Sequence, residues 1–225
     1  MITVTAVDAG IIRRAGLHAA LSEPVRLAIV EDLVVTDRSP KELGELFGLA
    51  PNLLAHHLRS LERVGLIERF VSAGDQRRRY VRLLRHSLGD LGVTTTRREG
   101  RMLFVCTHNS ARSQLAAALW RKHTGGVAES AGTDPASEVH PGAVAAGHRV
   151  GLDLEAVAPR HVSQAGSTDR VVTVCDRAHE ELPPDGSRWH WSIPDPVARG
   201  TARAFDAALS DLDLRIRALT EEMTP

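Results

Sequence analysis

Apolar residues recur with helical spacing in three successive segments near the start of the chain, residues 21–35, 39–48 and 50–65. Each segment carries a proline near its start, which a helix tolerates there because the first N–H groups have no intrahelical partner. Serines precede the first two prolines, so we expect Ser22 and Ser39 to be N-caps. Glycine closes the second and third segments, as is usual after the last turn of a helix. The pattern therefore predicts three short helices in succession.

The spacing of apolar residues then changes from the helical period to one typical of β-strands. Two such runs, Leu66–Val71 and Arg79–Leu84, lie on either side of a turn-forming Ala-Gly-Asp sequence. Helices followed by a hairpin are the plan of a winged helix-turn-helix, a DNA-binding module. The next stretch, residues 87–100, consists mostly of small, polar and charged residues without a period, and we expect it to be a linker.

A different pattern begins near residue 101. The apolar runs "MLFVC" and "VVTVC" are typical of buried strands, and Ala- and Leu-rich helical segments alternate with such runs up to a long amphipathic helix near the C-terminus. Strands that alternate with helices predict an α/β domain with a parallel sheet. The predicted organisation is a winged helix-turn-helix domain over residues 1–86, a linker over 87–100 and an α/β domain over 101–225.

The composition is that of an ordinary globular protein, with 225 residues of which 43% are hydrophobic. The sequence has no run of about 18 apolar residues that would cross a membrane. Its N-terminal stretch lacks the basic-then-apolar order of a signal peptide. Two cysteines do not make a disulfide framework. We therefore expect a cytoplasmic protein without membrane contact, in which a thiol serves catalysis or packing.

The net charge is zero, but arginine is concentrated in one region. Residues 51–85 hold eight arginines against three acidic residues. Such a basic stretch is the footprint expected where a protein contacts nucleic-acid phosphates. A solvated surface with ion pairs has the same composition, and charge alone favours that second interpretation.

The sequence "VCTHNSARS" places Cys106 after an apolar strand and just before a helical segment. Parallel α/β sheets bind their ligands at this edge. Backbone N–H groups of such a loop, together with a helix N-terminus, hold anions and favour a reactive thiolate. Arg112 offers a planar guanidinium to two oxygens of a tetrahedral oxyanion, and Ser113 offers a donor to the thiolate. We interpret Cys106 as a nucleophile rather than as a packed strand-end cysteine. The expected oxyanion-binding residues are Thr107, His108, Asn109, Ser110, Ala111, Arg112 and Ser113.

The longer segment "FVCTHNSARSQLAAAL" resembles the low-molecular-weight phosphotyrosine phosphatase superfamily and, within it, the arsenate-reductase branch. The later sequences "SAGT" and "PDP" match the same family. Over residues 101–220 the resemblance implies a four-stranded parallel sheet, with Cys106 as nucleophile, Arg112 as oxyanion ligand and Asp195 as general acid. Asp195 lies between prolines in a loop suited to a fixed carboxylate, although an aspartate before proline is also common in ordinary turns.

Two departures from the family pattern bear on the substrate and the reductant. The phosphatase branch usually has aromatic residues after its Asp-Pro pair, where this chain has Val197 and Ala198, so we expect a small oxyanion, arsenate or phosphate. Cys175 stands where the reductase branch keeps a resolving cysteine, although a cysteine at a strand end is often only a packed residue. The third cysteine of thioredoxin-coupled relatives is absent. We expect no bound cofactor and an external thiol reductant: thioredoxin, mycothiol with mycoredoxin, or glutathione.

The first domain resembles the ArsR-like bacterial repressors, most closely in the segment "HHLRSLERVGLI". This resemblance implies a homodimer on palindromic operator DNA. The expected DNA contacts, to base edges and phosphates, are Asn52, His56, His57 and Arg59 on the third predicted helix and Arg77, Arg78 and Arg79 on the hairpin. The domain has no cysteine and its histidines lack ligand spacing, so we expect no metal site.

These observations predict a transcriptional regulator fused to a thiol-dependent arsenate reductase. Two alternatives stay open at this point. One is a phosphatase of the same fold joined to the DNA-binding domain. The other is a repressor whose second domain binds an oxyanion without turning it over. The expected partners are operator DNA, a second copy of the chain, a small oxyanion and a redox thiol.

Overall fold

The computed structural model describes residues 8–87, 100–154 and 158–220. The predicted linker, residues 87–100, lies almost wholly outside this description. Internal contacts divide the chain into two compact units, one built mainly from the first 87 residues and the other mainly from residue 100 onward. The domain boundaries at residues 86 and 101 stay predictions. No helix within the described ranges is long and apolar enough to span a membrane.

The first unit consists of helices and most of a two-stranded hairpin, whose turn, residues 71–78, is grouped with the second unit. Its elements are α1 (Ala9–Leu21), α2 (Pro24–Val35), α3 (Pro40–Phe47), α4 (Pro51–Arg63), β1 (Ile67–Val71) and β2 (Arg79–Leu83). The three predicted helices and both predicted strands are present, whereas α1 is a helix that the apolar spacing did not reveal. Each element contributes to one core of aliphatic side chains, among them Leu17, Ile29, Leu43, Leu58 and Val81.

The residues that cap the helices of this unit follow from the sequence for α3 but not for α2. α3 begins as predicted, because the Ser39 side chain accepts from the Glu42 amide while the Glu42 carboxylate accepts from the Ser39 amide. The N-cap of α2, however, is Glu23, whose carboxylate accepts hydrogen bonds from two amides of the first turn. The expectation for Ser22 was wrong because α1 reaches that point and Ser22 serves as its C-cap.

The second unit is an α/β domain with one parallel sheet. Its strands are β3 (Met102–Cys106), β4 (Ala128–Gly132), β5 (Arg170–Thr173) and β6 (Trp189–His190), and its helices are α5 (Arg112–Thr124), α6 (Pro141–Arg149), α7 (Asp176–Glu181), α8 (Pro196–Arg199) and α9 (Ala202–Thr220). The strand order is β4-β3-β5-β6 with every pairing parallel. This confirms the four-stranded parallel sheet that the resemblance implied.

The core of this unit fixes the position of the segment that follows β3. Every residue of β3 is buried, because the strand lies between two neighbours in the sheet. The first nine residues of α5 are also buried, since α5 packs against both the sheet and α9. A rigid strand end and a rigid helix start therefore flank the loop of residues 107–111.

Candidate active site

The loop between β3 and α5, residues 107–111, turns its carbonyl groups outward. The carbonyl oxygens of residues 106–110 each accept a hydrogen bond from a group outside the loop, at 2.8–3.1 Å. The donors are the backbone amides of Thr133, Asp134, Ala136 and His140 and the side-chain amide of Gln114. In a planar trans peptide the N–H points opposite to the C=O, so the amides that follow these carbonyls face the centre of the loop. Inward-facing amides form a surface suited to an anion.

The sulfur of Cys106 lies among hydrogen-bonding groups of the loop and of α5. Its Sγ accepts a hydrogen bond from the Asn109 amide at 3.2 Å and lies 3.1 Å from the hydroxyl oxygen of Ser113. The N-terminus of α5 adds partial positive charge nearby. The residue is only 3% exposed. Reaction at this sulfur therefore requires a small reagent or a local opening.

Asn109 stabilises the loop through both its backbone and its side chain. Its φ of +49° lies in the left-handed region, which asparagine tolerates better than most residues. Its side chain donates to the Ser113 hydroxyl at 2.8 Å and accepts from the Arg160 amide at 3.0 Å. Because the Ser113 oxygen accepts from Asn109, its own proton is free to point at the Cys106 sulfur.

Gly132, at the end of β4, allows the loop to pass close to the strand. A Cβ at this position would lie 2.5 Å from the Thr107 carbonyl oxygen and 3.0 Å from the Asn109 amide nitrogen. The "SAGT" sequence that contains this glycine matches the family, but that match alone assigns the glycine no role. A glycine at a strand end, where another backbone approaches closely, is the signal that identifies such a residue.

Arg112 and Asp195 meet at the same side of the site. The Arg112 guanidinium is buried; its Nη1 donates to the Ile193 carbonyl at 2.9 Å and its Nη2 lies 3.2 Å from a carboxylate oxygen of Asp195. The other Asp195 oxygen accepts from the Val197 amide at 3.0 Å and caps α8. The Asp195 side chain is 37% exposed, so solvent reaches it. The segment of residues 193–195 thus orients the Arg112 guanidinium and holds Asp195, the predicted general acid, beside it.

Cys175, at the N-terminus of α7, lies next to the loop of Cys106. Its Sγ is 3.4 Å from the hydroxyl oxygen of Thr107 and accepts from the Ala178 amide at 3.4 Å. Burial raises the pKa of the Cys175 thiol; the nearby Arg112 guanidinium acts to lower it, and the neighbouring Cys106 sulfur raises it further. Cys175 is therefore a protonated thiol at neutral pH.

The other predicted oxyanion ligands present mainly backbone groups to the loop. The His108 side chain is exposed, and its Nδ1 lies 2.9 Å from the carbonyl oxygen of Asp134. Ala111 is the N-cap of α5 and has no polar side chain. Binding of an oxyanion by this loop stays a prediction. The groups predicted to bind it are the backbone amides of Thr107, His108, Asn109, Ser110 and Ala111.

The predicted DNA-contacting side chains of α4 are exposed with one exception. Asn52, His56 and Arg59 are exposed and, at spacings of four and three residues, share one face of the helix. His57 is 6% exposed, and its Nδ1 lies 3.3 Å from a carboxylate oxygen of Glu23. α4 turns His57 inward, away from the exposed face of the helix, and its contact with DNA stays a prediction.

The hairpin arginines are exposed as well. Arg77 is paired with Asp75 at 3.0 Å, and Arg78 lies 3.9 Å from the same carboxylate. Arg79 is exposed at the start of β2. Arg77, Arg78 and Arg79 are therefore all exposed, and the first two share the Asp75 carboxylate. Within the described part of the chain, no three histidine, cysteine, aspartate or glutamate side chains are grouped to hold a metal ion.

The parallel sheet, the loop of residues 107–111 and the side chains around it are together typical of one class of protein. A cysteine at the carboxyl edge of a parallel sheet, inward-facing amides and an arginine six residues further on are the parts with which a thiol attacks a tetrahedral oxyanion. Residues 101–224, more than half of the chain, match the family described as low molecular weight phosphotyrosine protein phosphatase, and the chain belongs to that family. Residues 21–69 match a helix-turn-helix domain.

The second domain is similar to several arsenate reductases. The arsenate reductase of Bacillus cereus (strain AH187) is 32% identical over 125 residues, which are 52% of this chain and 92% of the relative. That of Halalkalibacterium halodurans is 33% identical over 130 residues, 52% of this chain and 93% of the relative. The crystal structure of arsenate reductase from Archaeoglobus fulgidus is 31% identical, covers 52% of this chain and 97% of its own, and superposes with a TM-score of 0.46. The chain is a fusion of a helix-turn-helix domain with a domain of the arsenate-reductase branch.

Proposed function

We propose that this chain is a DNA-binding regulator that also reduces arsenate to arsenite with thiols, with Cys106 as the nucleophile. The observation that carries the proposal is the second thiol. Cys175 contacts Thr107, the residue next to Cys106, at 3.4 Å. A phosphatase needs one nucleophilic cysteine, whereas reduction of arsenate needs two thiols to supply two electrons.

The chemistry begins with attack of the Cys106 thiolate on the arsenic atom of arsenate. Loop amides and the Arg112 guanidinium bind the oxygens, and Asp195 gives a proton to the oxygen that leaves as water. The product is a thioester of arsenate in which arsenic keeps its oxidation state. The second thiol, that of Cys175, then attacks the Cys106 sulfur, and the electron pair of the S–As bond passes to arsenic. Arsenite leaves, and the two sulfurs form a disulfide.

The surroundings of Asp195 support a small oxyanion. The two residues that follow the Asp-Pro pair, Val197 and Ala198, carry no ring on which a tyrosine side chain would stack. The resemblance to arsenate reductases over the whole second domain supports the same choice.

The burial of both sulfurs bears on the reductant. Cys106 and Cys175 are 3% and 1% exposed, and the sequence holds no third cysteine to carry a disulfide to the surface. A small thiol such as glutathione or mycothiol reaches a buried sulfur more readily than the active site of thioredoxin does. We therefore propose that a small thiol reduces the Cys106–Cys175 disulfide, and that a redoxin then acts on the disulfide formed with the small thiol.

The first domain is proposed to bind operator DNA as a homodimer in the cytoplasm. Its support is the helix-turn-helix match, the exposed face of Asn52, His56 and Arg59, and the exposed hairpin arginines. Helix and hairpin residues of this kind contact the major groove and the phosphate backbone respectively.

Phosphate-ester hydrolysis is the second candidate, because the family as a whole carries that name and the Arg112–Asp195 arrangement fits phosphate as well as arsenate. Steady-state assays separate the two. We expect arsenate-dependent oxidation of a small thiol, and at most slow release of phosphate from an aryl phosphate. Rapid aryl phosphate hydrolysis without arsenate-dependent thiol oxidation would make the domain a phosphatase. Tight binding of either anion without turnover would make it an oxyanion sensor.

A further inference from the structure

We infer that His190 and Asp176 are positioning residues for Cys175: their contact holds helix α7, and with it the Cys175 sulfur, beside the loop of Cys106. The inference rests on the proposed function, in which Cys175 supplies the second thiol. Neither side chain reacts in that scheme. Their effect is on where one sulfur lies relative to the other.

The location of the Cys175 sulfur depends on α7. Cys175 is the N-cap residue of this helix, and its sulfur accepts from the Ala178 amide in the first turn. α7 has only 6 residues. A helix of that length is not stable by itself, so contacts with the rest of the domain determine where it lies.

A buried imidazole links α7 to the sheet. His190 lies on β6, its Nε2 is 3.1 Å from a carboxylate oxygen of Asp176, and its Nδ1 is 3.0 Å from the hydroxyl of Thr173 on β5. The side chains of His190 and Asp176 are 1% and 3% exposed. Both ring nitrogens are therefore engaged, and the ring is fixed between two strands and the first residue of α7.

A second histidine strengthens this link. His179, one turn further along α7, stacks on His190 with ring centroids 4.1 Å apart and an interplanar angle of 16°. Its Nδ1 lies 3.1 Å from the same Thr173 hydroxyl. The same hydroxyl donates to the Trp189 carbonyl oxygen at 3.2 Å, so Thr173 contacts both histidine rings and the backbone of β6. α7 is thus attached to the sheet at two positions one turn apart.

The contact between His190 and Asp176 is polar, although two apolar side chains would fill the same buried space. Burial acts to raise the pKa of Asp176, but hydrogen bonds from His190 and Ser192 outweigh it and leave the pKa lowered. Replacing a buried polar pair with apolar residues is often neutral for stability, whereas directional bonds fix one geometry. A disulfide forms only when the Cα–Cα distance and the sulfur directions fall in a narrow range. We therefore assign the pair to alignment of the two sulfurs.

Two substitutions at one position test this assignment. In His190→Gln the amide nitrogen takes the place of Nε2 and keeps the bond to Asp176. In His190→Asn the shorter side chain keeps only the position of Nδ1 and loses that bond. The measurement is the rate of Cys106–Cys175 disulfide formation with diamide, which takes up two electrons and two protons as the thiols join. Acid quenching and mass spectrometry quantify the product without using arsenate.

We expect His190→Asn to slow disulfide formation by at least about tenfold and His190→Gln by no more than about twofold, because small misplacement of reacting groups has large kinetic effects. Iodoacetamide should label Cys106 at the same rate in all three proteins, which a general loss of structure would not permit. Equal disulfide rates for His190→Asn and the unaltered protein would overturn the inference. If His190→Asn does not fold, Asp176→Ala removes the contact from the helix side, together with the Asp176 hydrogen bonds from Ser192 and the Ala73 amide, with the same expectation.

The diamide assay also separates this inference from the proposed function. If the unaltered protein forms no Cys106–Cys175 disulfide, the relay role of Cys175 is wrong and the positioning role falls with it. If the disulfide forms quickly and depends on His190 while arsenate is not reduced, the alignment stands and the choice of arsenate as substrate is wrong.

Discussion

At the scale of single residues, the environment of each sulfur decides its role. Cys106 and Cys175 both lie at the carboxyl edge of the sheet, close to the ends of the neighbouring strands β3 and β5. Cys106 accepts from a loop amide and lies beside the Ser113 hydroxyl. Cys175 is buried, and that burial raises its pKa. Strand position alone would make the two thiols alike, and the contacts of the loop are what single out Cys106 as the proposed nucleophile.

Alkylation kinetics test this difference. Iodoacetamide reacts with thiolates, so at pH 7 we expect Cys106 to be labelled at least about tenfold faster than Cys175. A raised thiol pKa keeps Cys175 protonated at neutral pH, so its labelling should increase only as the pH rises above the ordinary thiol range. Arsenate or phosphate should protect Cys106. Equal labelling of both cysteines without protection would return Cys106 to a packing role.

Asn109 combines an unusual backbone conformation with two side-chain hydrogen bonds, and two substitutions separate these effects. Asn109→Ala should lower stability by about 1–2 kcal/mol, because alanine is strained at positive φ. Asn109→Gly removes that strain but also lacks the bond to Ser113. We expect arsenate turnover to fall in both variants and the melting temperature to fall further in the alanine variant. Full turnover in the glycine variant would show that the bond to Ser113 is dispensable.

At the scale of elements, the end of β4 shapes the loop that follows β3. A methyl group on Gly132 would overlap the loop backbone at 2.5 Å. Gly132→Ala should therefore displace the loop and reduce arsenate turnover by about a hundredfold, since misplacement of the reacting groups is costly. Gly186→Ala is the matched control, because nothing lies within 4 Å of a Cβ there. Similar activity in the two variants would contradict the close approach of strand and loop.

The hairpin is the element predicted to contact the DNA backbone. Replacing Arg77, Arg78 and Arg79 with alanine should weaken binding and reduce the salt dependence, by up to about 0.9 in log–log slope for each lost phosphate contact. Arg199→Ala with Arg203→Ala removes exposed charge from the second domain and should leave binding unchanged. An unaltered affinity and slope in the hairpin variant would remove the hairpin from the DNA interface.

The sequence was most informative where local chemistry determines structure. The Ser39 capping box, both hairpin strands and the strand that ends in Cys106 follow from residue type and spacing alone. Contacts between distant segments were not predictable in the same way. His57 looks like its exposed neighbour His56 in the sequence, and only the packing of α4 against the core separates them. The short strand β6 and the link from His190 to Asp176 likewise depend on tertiary pairing.

At the scale of the whole molecule, the charge is distributed unevenly between the two domains, for which two different activities are proposed. Its net charge is zero, yet residues 51–85 hold eight arginines against three acids. An attraction to DNA is therefore a property of one region rather than of the entire protein. If both proposed activities are present, the cell makes the DNA-binding domain and the arsenate-reducing domain in equal amounts. The molecule that reduces arsenate would then also be the one that regulates transcription.

The most direct test of the central claim is steady-state arsenate reduction with a small thiol donor, measured as arsenite formed, for the unaltered chain and for Cys106→Ser and Cys175→Ser. We expect the unaltered chain to turn over and Cys106→Ser to fall to the background of thiol alone, since the nucleophile is gone. Cys175→Ser should complete the first attack but fail to sustain turnover. Turnover that survives Cys106→Ser would contradict the proposal, because the attack on arsenic is assigned to the Cys106 sulfur and not to Cys175.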